Sequence, residues 1–226
     1  MKITAVGKYG RMLTRLGFFN CFLVREEDGF TLIDANLKGS EEDTLRATGD
    51  VPIRRILLTH AHVDHVGSVD ALMAKVPGLE LLASERSIPI LQSPPDLSLR
   101  RGEVGPIRGG TPGIVSKLTR TVAEGDRVGS LLAIDTPGHI HGHQAFLDER
   151  DGTLYAGDEF GYLGKVTVTG FTPWWIPLKA FSNRDQARET AKKLLAYPVQ
   201  RVACGHGKVS EGGRELIQGA IDRAKG

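Results

Sequence analysis

The feature that most constrains this chain is a histidine-rich stretch at residues 59–65, which reads Thr-His-Ala-His-Val-Asp-His. It follows an apolar run at 56–58 that is typical of a buried strand, and it precedes apolar residues with helical spacing from Val66 to Val76. A turn held between a strand and a helix can bring three imidazoles and a carboxylate to one point. The stretch therefore predicts a metal site; the alternative is a polar turn that is rich in histidine by chance.

Three other apolar runs also lead to a residue that can bind a metal, on or beside a glycine-containing turn. The run at 132–136 leads to His139, the run at 154–156 to Asp158, and the run at 199–203 to His206. All seven histidines of the chain fall in three of these four turns. If the strands lie side by side, their ends form one rim that carries His60, His62, Asp64, His65, His139, Asp158 and His206. Seven ligands suit two metal ions, with one carboxylate able to bridge them.

The spacing of apolar residues predicts an alternation of strands and helices. Strands are expected at 3–6, 18–24, 30–34, 79–83, 131–136, 144–147, 153–156 and 165–168. The turn signal at 26–29 predicts a hairpin, and the strand at 56–58, the helix after it and the strand at 79–83 predict a βαβ unit.

Helix starts are predicted from capping residues. Ser40 with Asp43 resembles a capping box, Ser182 with Asp185 is expected to open a second helix, and a last helix is expected at about 210–224. Asp34 ends a predicted strand and could lie beside the metal turn or be a solvated carboxylate.

Residues 93–117 are rich in proline and glycine and show no clear periodicity. A loop of this length inside a compact domain is usually a lid or a binding loop, so we expect a lid or rim loop here. Its Arg100, Arg101 and Arg108 are candidates for substrate contact, although most loop arginines are simply solvated.

Composition excludes several classes of function. A length of 226 residues predicts a single domain over 1–226, and a net charge of +2 provides no basic field for nucleic acid. No apolar run is long enough for a membrane span, and the N-terminus lacks the pattern of a secretory signal, so a cytoplasmic location is expected. Cys21 and Cys204 are expected to be buried free thiols. The expected partner is a small-molecule substrate, with a homodimer left open.

On these motifs the chain resembles the metallo-β-lactamase fold superfamily of metallo-hydrolases. The matching motifs appear in the family's order and cover about residues 20–207. They are Leu32-Ile33-Asp34, the stretch at 59–65, Thr136-Pro137-Gly138-His139, Gly157-Asp158 and Gly205-His206. The resemblance implies an α/β fold, a four-layer αβ/βα sandwich in which two mixed sheets pack face to face between layers of helices.

The resemblance also implies a role for each candidate residue. His60, His62 and His139 would bind a first metal, Asp64, His65 and His206 a second, and Asp158 would bridge the two ions. Asp34 and His143 would contact the ligands without binding the metals themselves. Similar proteins often have Thr where Ile140 stands, so hydrogen bonding after His139 is expected to differ, and His141 would face either substrate or solvent. The expected cofactor is two divalent ions, zinc first, with iron, manganese or cobalt as alternatives.

Comparison within the superfamily narrows the implied activity. Secreted β-lactamases carry an export signal and usually lack the bridging Asp, which Asp158 supplies here. Hydroxyacylglutathione hydrolases carry an extra C-terminal region, whereas 20 residues follow His206 in this sequence. Flavodiiron proteins have an acidic residue at the position of His62, and acyl-homoserine lactonases have a Tyr close to the position of Tyr162. The resemblance therefore implies a small hydrolase that acts on an ester, lactone or thioester.

In the implied mechanism, a hydroxide that bridges the two metals attacks the substrate carbonyl, and Asp64 relays the proton to the leaving group. Tyr162 is either an oxyanion donor or an aromatic that packs beside the site. Trp174 and Trp175 either wall an apolar cleft or pack into the core. The alternatives are a diiron or mononuclear iron redox enzyme, a phosphodiesterase, and a binding protein without turnover.

Overall fold

The N-terminal half of the chain forms a mixed sheet. The structure is a computed structural model that describes residues 1–162, 164–171 and 180–224. The strands of this first sheet are β1 (Lys2–Val6), β2 (Gly10–Arg15), β3 (Phe19–Glu26), β4 (Gly29–Ile33), β5 (Ile53–Leu57), β6 (Glu80–Ala83) and β7 (Arg120–Thr121), and they lie in that order. Hairpins join β1 to β2, β2 to β3 and β3 to β4, so these neighbouring strands are antiparallel. The neighbouring strands from β4 to β7 are parallel.

The C-terminal half forms a second sheet and a small hairpin. Its strands are β8 (Arg127–Val128), β9 (Leu131–Asp135), β10 (Gln144–Asp148), β11 (Thr153–Gly157), β12 (Phe160–Tyr162), β13 (Val166–Val168), β14 (Arg201–Cys204) and β15 (Ser210–Glu211). The sheet order is β15-β14-β11-β10-β9-β8, and β12 pairs with β13 apart from it. Only the β11–β14 pair of this described sheet is parallel, so the carboxyl ends of these two strands are neighbours.

Helices cover the outer face of each sheet. They are α1 (Glu41–Thr48), α2 (Val63–Val66), α3 (Val69–Lys75), α4 (Ser87–Leu91), α5 (Arg184–Leu194) and α6 (Arg214–Arg223). Apolar residues of α1 to α4 share one buried cluster with the first sheet, and those of α5 and α6 share another with the second sheet.

A third buried cluster joins the inner faces of the two sheets. Successive side chains of a strand point to opposite faces, so one strand serves two clusters. Leu32 packs towards the helices and Ile33 towards the other sheet, and in the second sheet Leu147 and Phe146 divide in the same way. The layers are thus helices, sheet, sheet and helices, and the predicted four-layer αβ/βα sandwich is confirmed.

All the predicted strands and the βαβ unit β5–α2/α3–β6 are present, but β2 was not predicted and the helix ends differ from the predictions. The capping box at Ser40 is wrong, because the Ser40 hydroxyl accepts a hydrogen bond from Arg15 and makes no cap bond. The second cap is Asn183 rather than Ser182, since its side-chain oxygen accepts the amide of Gln186 at 3.1 Å. The last helix begins only at Arg214, because β15 takes residues 210–211.

Residues 93–117, which we call the rim loop, contain no helix or strand. The Asp70 carboxylate accepts the amides of Val115 and Ser116, and Arg86 pairs with Glu103. The loop is therefore fastened to the body of the protein at more than one point.

Two predictions from composition can be compared with the structure. None of the helices in the described ranges is long and apolar enough to cross a membrane. Cys21 and Cys204 are buried free thiols, as predicted.

The inter-sheet cluster provides a test of the fold. Phe146 is fully buried in it, so Phe146→Ala should lower the free energy of unfolding by about 3–5 kcal/mol through lost burial and a residual cavity. Val115 is 79% exposed, and Val115→Ala should change stability by less than about 0.5 kcal/mol. Urea unfolding of both variants measures the difference; equal stability would contradict the packing described.

Candidate metal centre

The predicted ligands lie at one edge of the two sheets. β5 leads to the segment that carries His60 and His62 and then to α2, which carries Asp64 and His65, while β9, β11 and β14 lead to the turns with the other candidates. Two backbone hydrogen bonds connect these segments: the amide of Gln144 donates to Thr59 at 2.9 Å and that of Gly205 to Gly157 at 2.8 Å. Both sheets therefore contribute to one cluster.

Three imidazoles form the first half of this cluster. The Nδ1 atom of His62 lies 3.0 Å from His60 Nε2 and 2.9 Å from His139 Nε2. All three rings are buried, and burial lowers the pKa of each one. They are therefore uncharged at neutral pH.

Hydrogen bonds on the far sides of the rings decide which nitrogen carries the proton. His62 Nε2 lies 2.7 Å from the carbonyl oxygen of Arg108, which can only accept, so Nδ1 keeps its lone pair. The Thr59 hydroxyl donates to Asp34 and therefore accepts from His60 Nδ1 at 2.9 Å, which leaves a lone pair on His60 Nε2. Lone pairs that face each other at 3.0 Å repel, and a cation between them removes the repulsion. This donor set fits a metal ion.

The second half of the cluster is charged. His206 Nε2 lies 3.1 Å from the carboxylates of both Asp64 and Asp158, and His65 Nε2 lies 3.4 Å from Asp158. Burial opposes the charged form of His65, but Asp158, Asp34 and Asp64 outweigh it and raise the pKa of His65.

The same balance acts on the other groups of this half. Burial alone would lower the pKa of His206, but Asp158 and Asp64 raise it to about 9. Burial alone would raise the pKa of both carboxyl groups, but His65 and His206 lower that of Asp64 to about 2 and hold that of Asp158 well below its ordinary value.

Asp158 lies between the two halves. Its Oδ2 atom is 3.4 Å from His139 Nε2 and 3.1 Å from His206 Nε2. Three overlapping groups of residues could each hold an ion: His60, His62 and His139; His60, His65 and Asp158; Asp64, His65 and His206. The structure thus brings all seven predicted ligands together, and the cluster fits a metal site.

Asp34 and His143 lie behind these residues. The Asp34 carboxylate accepts the Thr59 amide and hydroxyl, both at 2.8 Å, and His65 Nδ1 at 2.7 Å. His143 Nδ1 lies 2.7 Å from the Thr136 hydroxyl, while its Nε2 accepts the amide of Asp158 at 3.0 Å. Both nitrogens of His143 are thus engaged, so this ring orients Asp158 and has no lone pair for a metal.

Several other candidates lie elsewhere. His141 faces neither solvent nor the cluster: it is buried, and its Nε2 lies 2.9 Å from the carbonyl oxygen of Gly105. Ile140 packs in the core, and the side chains of Arg100, Arg101 and Arg108 are exposed. The side chain of Tyr162, at the end of β12, lies outside the described part of the chain, as do Trp174 and Trp175.

A cleft of about 230 Å³ opens on the cluster. His62, Asp64, His139, Asp158 and His206 line one side, and the aromatic residues Phe18, Phe19, Phe160 and Phe181 line it as well. The Phe18 ring stacks on His206 with centroids 4.8 Å apart and an angle of 22°. Polar groups that can bind a cation thus border an apolar wall.

The sequence did not identify some residues that shape this site. Thr59 and Thr136 belong to the recognised motifs, so their position next to histidines was a usable signal. Thr169, whose hydroxyl lies 3.0 Å from His139 Nδ1, and the carbonyl oxygen of Arg108 carry no such signal. Phe18 and Phe19 were predicted only as strand residues.

The fold and the cluster agree with a comparison to protein families. A model of the metallo-beta-lactamase superfamily matches residues 14–206. The chain belongs to this superfamily, as the motifs predicted.

Individual relatives extend this result. An uncharacterized protein of Bacillus subtilis (strain 168), YobT, is 43% identical over 212 residues, which is 91% of this chain and 90% of YobT. A hydroxyacylglutathione hydrolase of Xylella fastidiosa (strain 9a5c) is 30% identical over 67% of this chain, but the match spans only 45% of that enzyme. The crystal structure of TTHA1623 in a di-iron-bound form is 27% identical, with a TM-score of 0.67, over 97% of this chain and 98% of that one. The family and the hydrolase agree with the predicted class, a metal-dependent hydrolase.

The charged half of the cluster predicts proton release on metal binding. In protein stripped of metal, the raised pKa values of His65 and His206 keep both rings protonated near neutrality, whereas a metal needs the free nitrogen lone pair. Zinc binding at about pH 7.5 should therefore release about two protons from these rings, and less as the pH rises above about 9.

Calorimetric titrations in buffers of different ionisation enthalpy count the protons. His206→Asn should lower the number by about one, because Asn has no ionisable proton to lose. An unchanged count in this variant would contradict the protonation of His206.

Proposed function

We propose that this chain is a dinuclear metal-dependent hydrolase that cleaves a small ester, lactone or thioester with an apolar acyl part. The observation that carries the proposal is the position of Asp158 between two groups of ligand atoms, beside an aromatic cleft. One ion would be held by His60, His62 and His139. The other would be held by Asp64, His65 and His206. Asp158 would be shared by both ions.

The donor set supports zinc as the metal, because imidazole and carboxylate ligands suit it well. The same ligands also accept iron, manganese and cobalt, and the di-iron form of TTHA1623 keeps iron in consideration. Metal analysis distinguishes these possibilities.

Divalent ions held by these residues would supply a water with its pKa lowered towards ~7 and would polarise the substrate carbonyl. The chain's own residues set the geometry for this chemistry. Asp158 holds negative charge between the two halves, while Asp34 and His143 orient His65 and Asp158 through hydrogen bonds. Asp64 lines the cleft and is ionised, so its carboxylate can accept a proton and pass it to the leaving group.

An iron redox enzyme is the second candidate, favoured by the similarity to a protein that binds two irons. It predicts activity that depends on iron and visible absorbance that changes with oxidation, whereas a hydrolase acts with redox-inert zinc.

The first test of the proposal combines metal content with hydrolysis. Protein purified without chelator should hold about two metal ions per chain and hydrolyse members of a panel of lactones, esters and thioesters, with phosphodiesters included for comparison. Asp158→Ala should lose chiefly one ion and most of the activity, because two nearby cations repel without the shared carboxylate. Asp50→Ala, which removes an exposed carboxylate outside the cluster, should match the wild type.

A reproducible ratio of one ion in metal-replete protein would refute the dinuclear assignment. Wild-type metal content in Asp158→Ala would refute the shared carboxylate. Full metal content with no hydrolysis of any carbonyl substrate would refute the assignment of this protein as a hydrolase.

The second test concerns the apolar wall. Each methylene buried in the cleft should add up to ~0.8 kcal/mol, so kcat/KM should rise up to about fourfold per methylene along a series of acyl esters. Phe181→Ala should flatten this dependence because it removes part of the wall. Phe171→Ala, at an aromatic that does not line the cleft, should retain it. A flat series in the wild type would show that the cleft does not bind the acyl chain.

A further inference from the structure

The rim loop reaches the metal centre through its backbone. The carbonyl oxygen of Arg108 lies 2.7 Å from His62 Nε2, while the Arg108 side chain is exposed. The amide of Val63 donates to the carbonyl oxygen of Gly110 at 2.8 Å, so the loop contacts this turn on both sides of Gly109.

Gly109 makes this approach possible. Its φ angle is +93°, in the left-handed region that favours glycine, and a Cβ atom there would lie 2.5 Å from His62 Nε2 and 2.9 Å from His62 Cδ2. A larger residue would therefore have to displace either the loop or the His62 ring, and either movement breaks the hydrogen bond to Arg108.

Other contacts fix the position of the loop. The carbonyl oxygen of Gly105 lies 2.9 Å from His141 Nε2, and the side-chain amide of Asn183 donates to Val104 at 3.3 Å. Asp70 holds the far end of the loop through the amide of Ser116 at 2.8 Å. The loop is thus fastened independently to the turn that carries His139, to the start of α5 and to α3.

We propose that the rim loop positions the metal ligand His62, with the Arg108 carbonyl as the hydrogen-bond acceptor and Gly109 as the residue that permits the contact. The acceptor keeps the proton on Nε2 and fixes the ring plane, so that Nδ1 faces His60 and His139 with its lone pair free. Arg108 and Gly109 are positioning residues, since they act through His62. This inference rests on the proposed metal site.

The chain offers a matched pair of substitutions. Gly109 and Gly102 have φ angles of +93° and +90°, but a Cβ atom at Gly102 would meet nothing within 4 Å. Gly109→Ala and Gly102→Ala therefore share the backbone strain and differ in the contact with His62.

The measurement is zinc affinity in competition with a chelator, with urea unfolding of the metal-free variants to verify folding. Gly109→Ala should lose about 10–100-fold in affinity at one of the two sites, as expected when the partner of a metal-binding histidine is removed. Gly102→Ala should stay close to the wild type. Equal affinities in the two folded variants would overturn the proposal.

Nitrogen-15 NMR of zinc-loaded wild-type protein provides a test that does not depend on the folding of a variant. His62 should bind zinc through Nδ1 and carry its proton on Nε2, where the Arg108 carbonyl accepts it; zinc on Nε2 with the proton on Nδ1 would overturn the proposal. Failure of the proposed metal site is distinguishable, because the wild type itself would then bind no zinc, whereas failure of this inference leaves wild-type binding intact.

Discussion

The two halves of the candidate metal centre depend on the hydrogen bonds of the Asp34 carboxylate. Asp34 follows β4 in a left-handed conformation with a φ of 59°. Its carboxylate accepts hydrogen bonds from the Thr59 amide, the Thr59 hydroxyl and His65 Nδ1. Through Thr59 it sets the proton on His60, which belongs to the uncharged half, and through His65 it orients the charged half. One buried acceptor thus fixes which nitrogen atoms are available on two candidate ligands, His60 and His65.

The sandwich supplies the rigid frame that this arrangement needs. The inner faces of the two sheets pack through one buried cluster, and the amide of Gln144 in the second sheet donates to Thr59, just after β5 of the first. A shift between the sheets would therefore separate the first turn from the turns with His139, Asp158 and His206. Burial lowers the pKa of the histidines in both halves. His60, His62 and His139 therefore lose their charge, whereas Asp158 and Asp64 outweigh burial at His65 and His206, which keep theirs.

The cleft combines two kinds of surface that the proposed reaction needs. Asp64 and Asp158 present charge to it, and Phe18 and Phe181 present apolar rings. The rim loop approaches His62 at the border of this cleft with backbone atoms, while its arginine side chains are exposed. Loop position and ligand geometry are therefore coupled through one hydrogen bond, and no charged side chain of the loop takes part in that bond.

The sequence by itself determined most of the strands, the turns and the seven candidate ligands, because apolar periodicity, turn residues and metal-binding side chains are local patterns. It also indicated the superfamily, since those motifs occur in a characteristic order. It did not determine the strand β2, the cap at Asn183, the buried position of His141 or the very short strands β7, β8, β12 and β15. His141 and β7 depend on partners distant in the chain, Gly105 and β6. Strands β8 and β12 pair with near neighbours, but they are too short to show a periodic pattern. The cap at Asn183 is local, and the adjacent Ser182 offered a competing cap in the sequence. The contact of Arg108 with His62 was beyond the sequence for a further reason: a backbone carbonyl is the same at every residue, so only the tertiary structure decides which one meets the metal ligand.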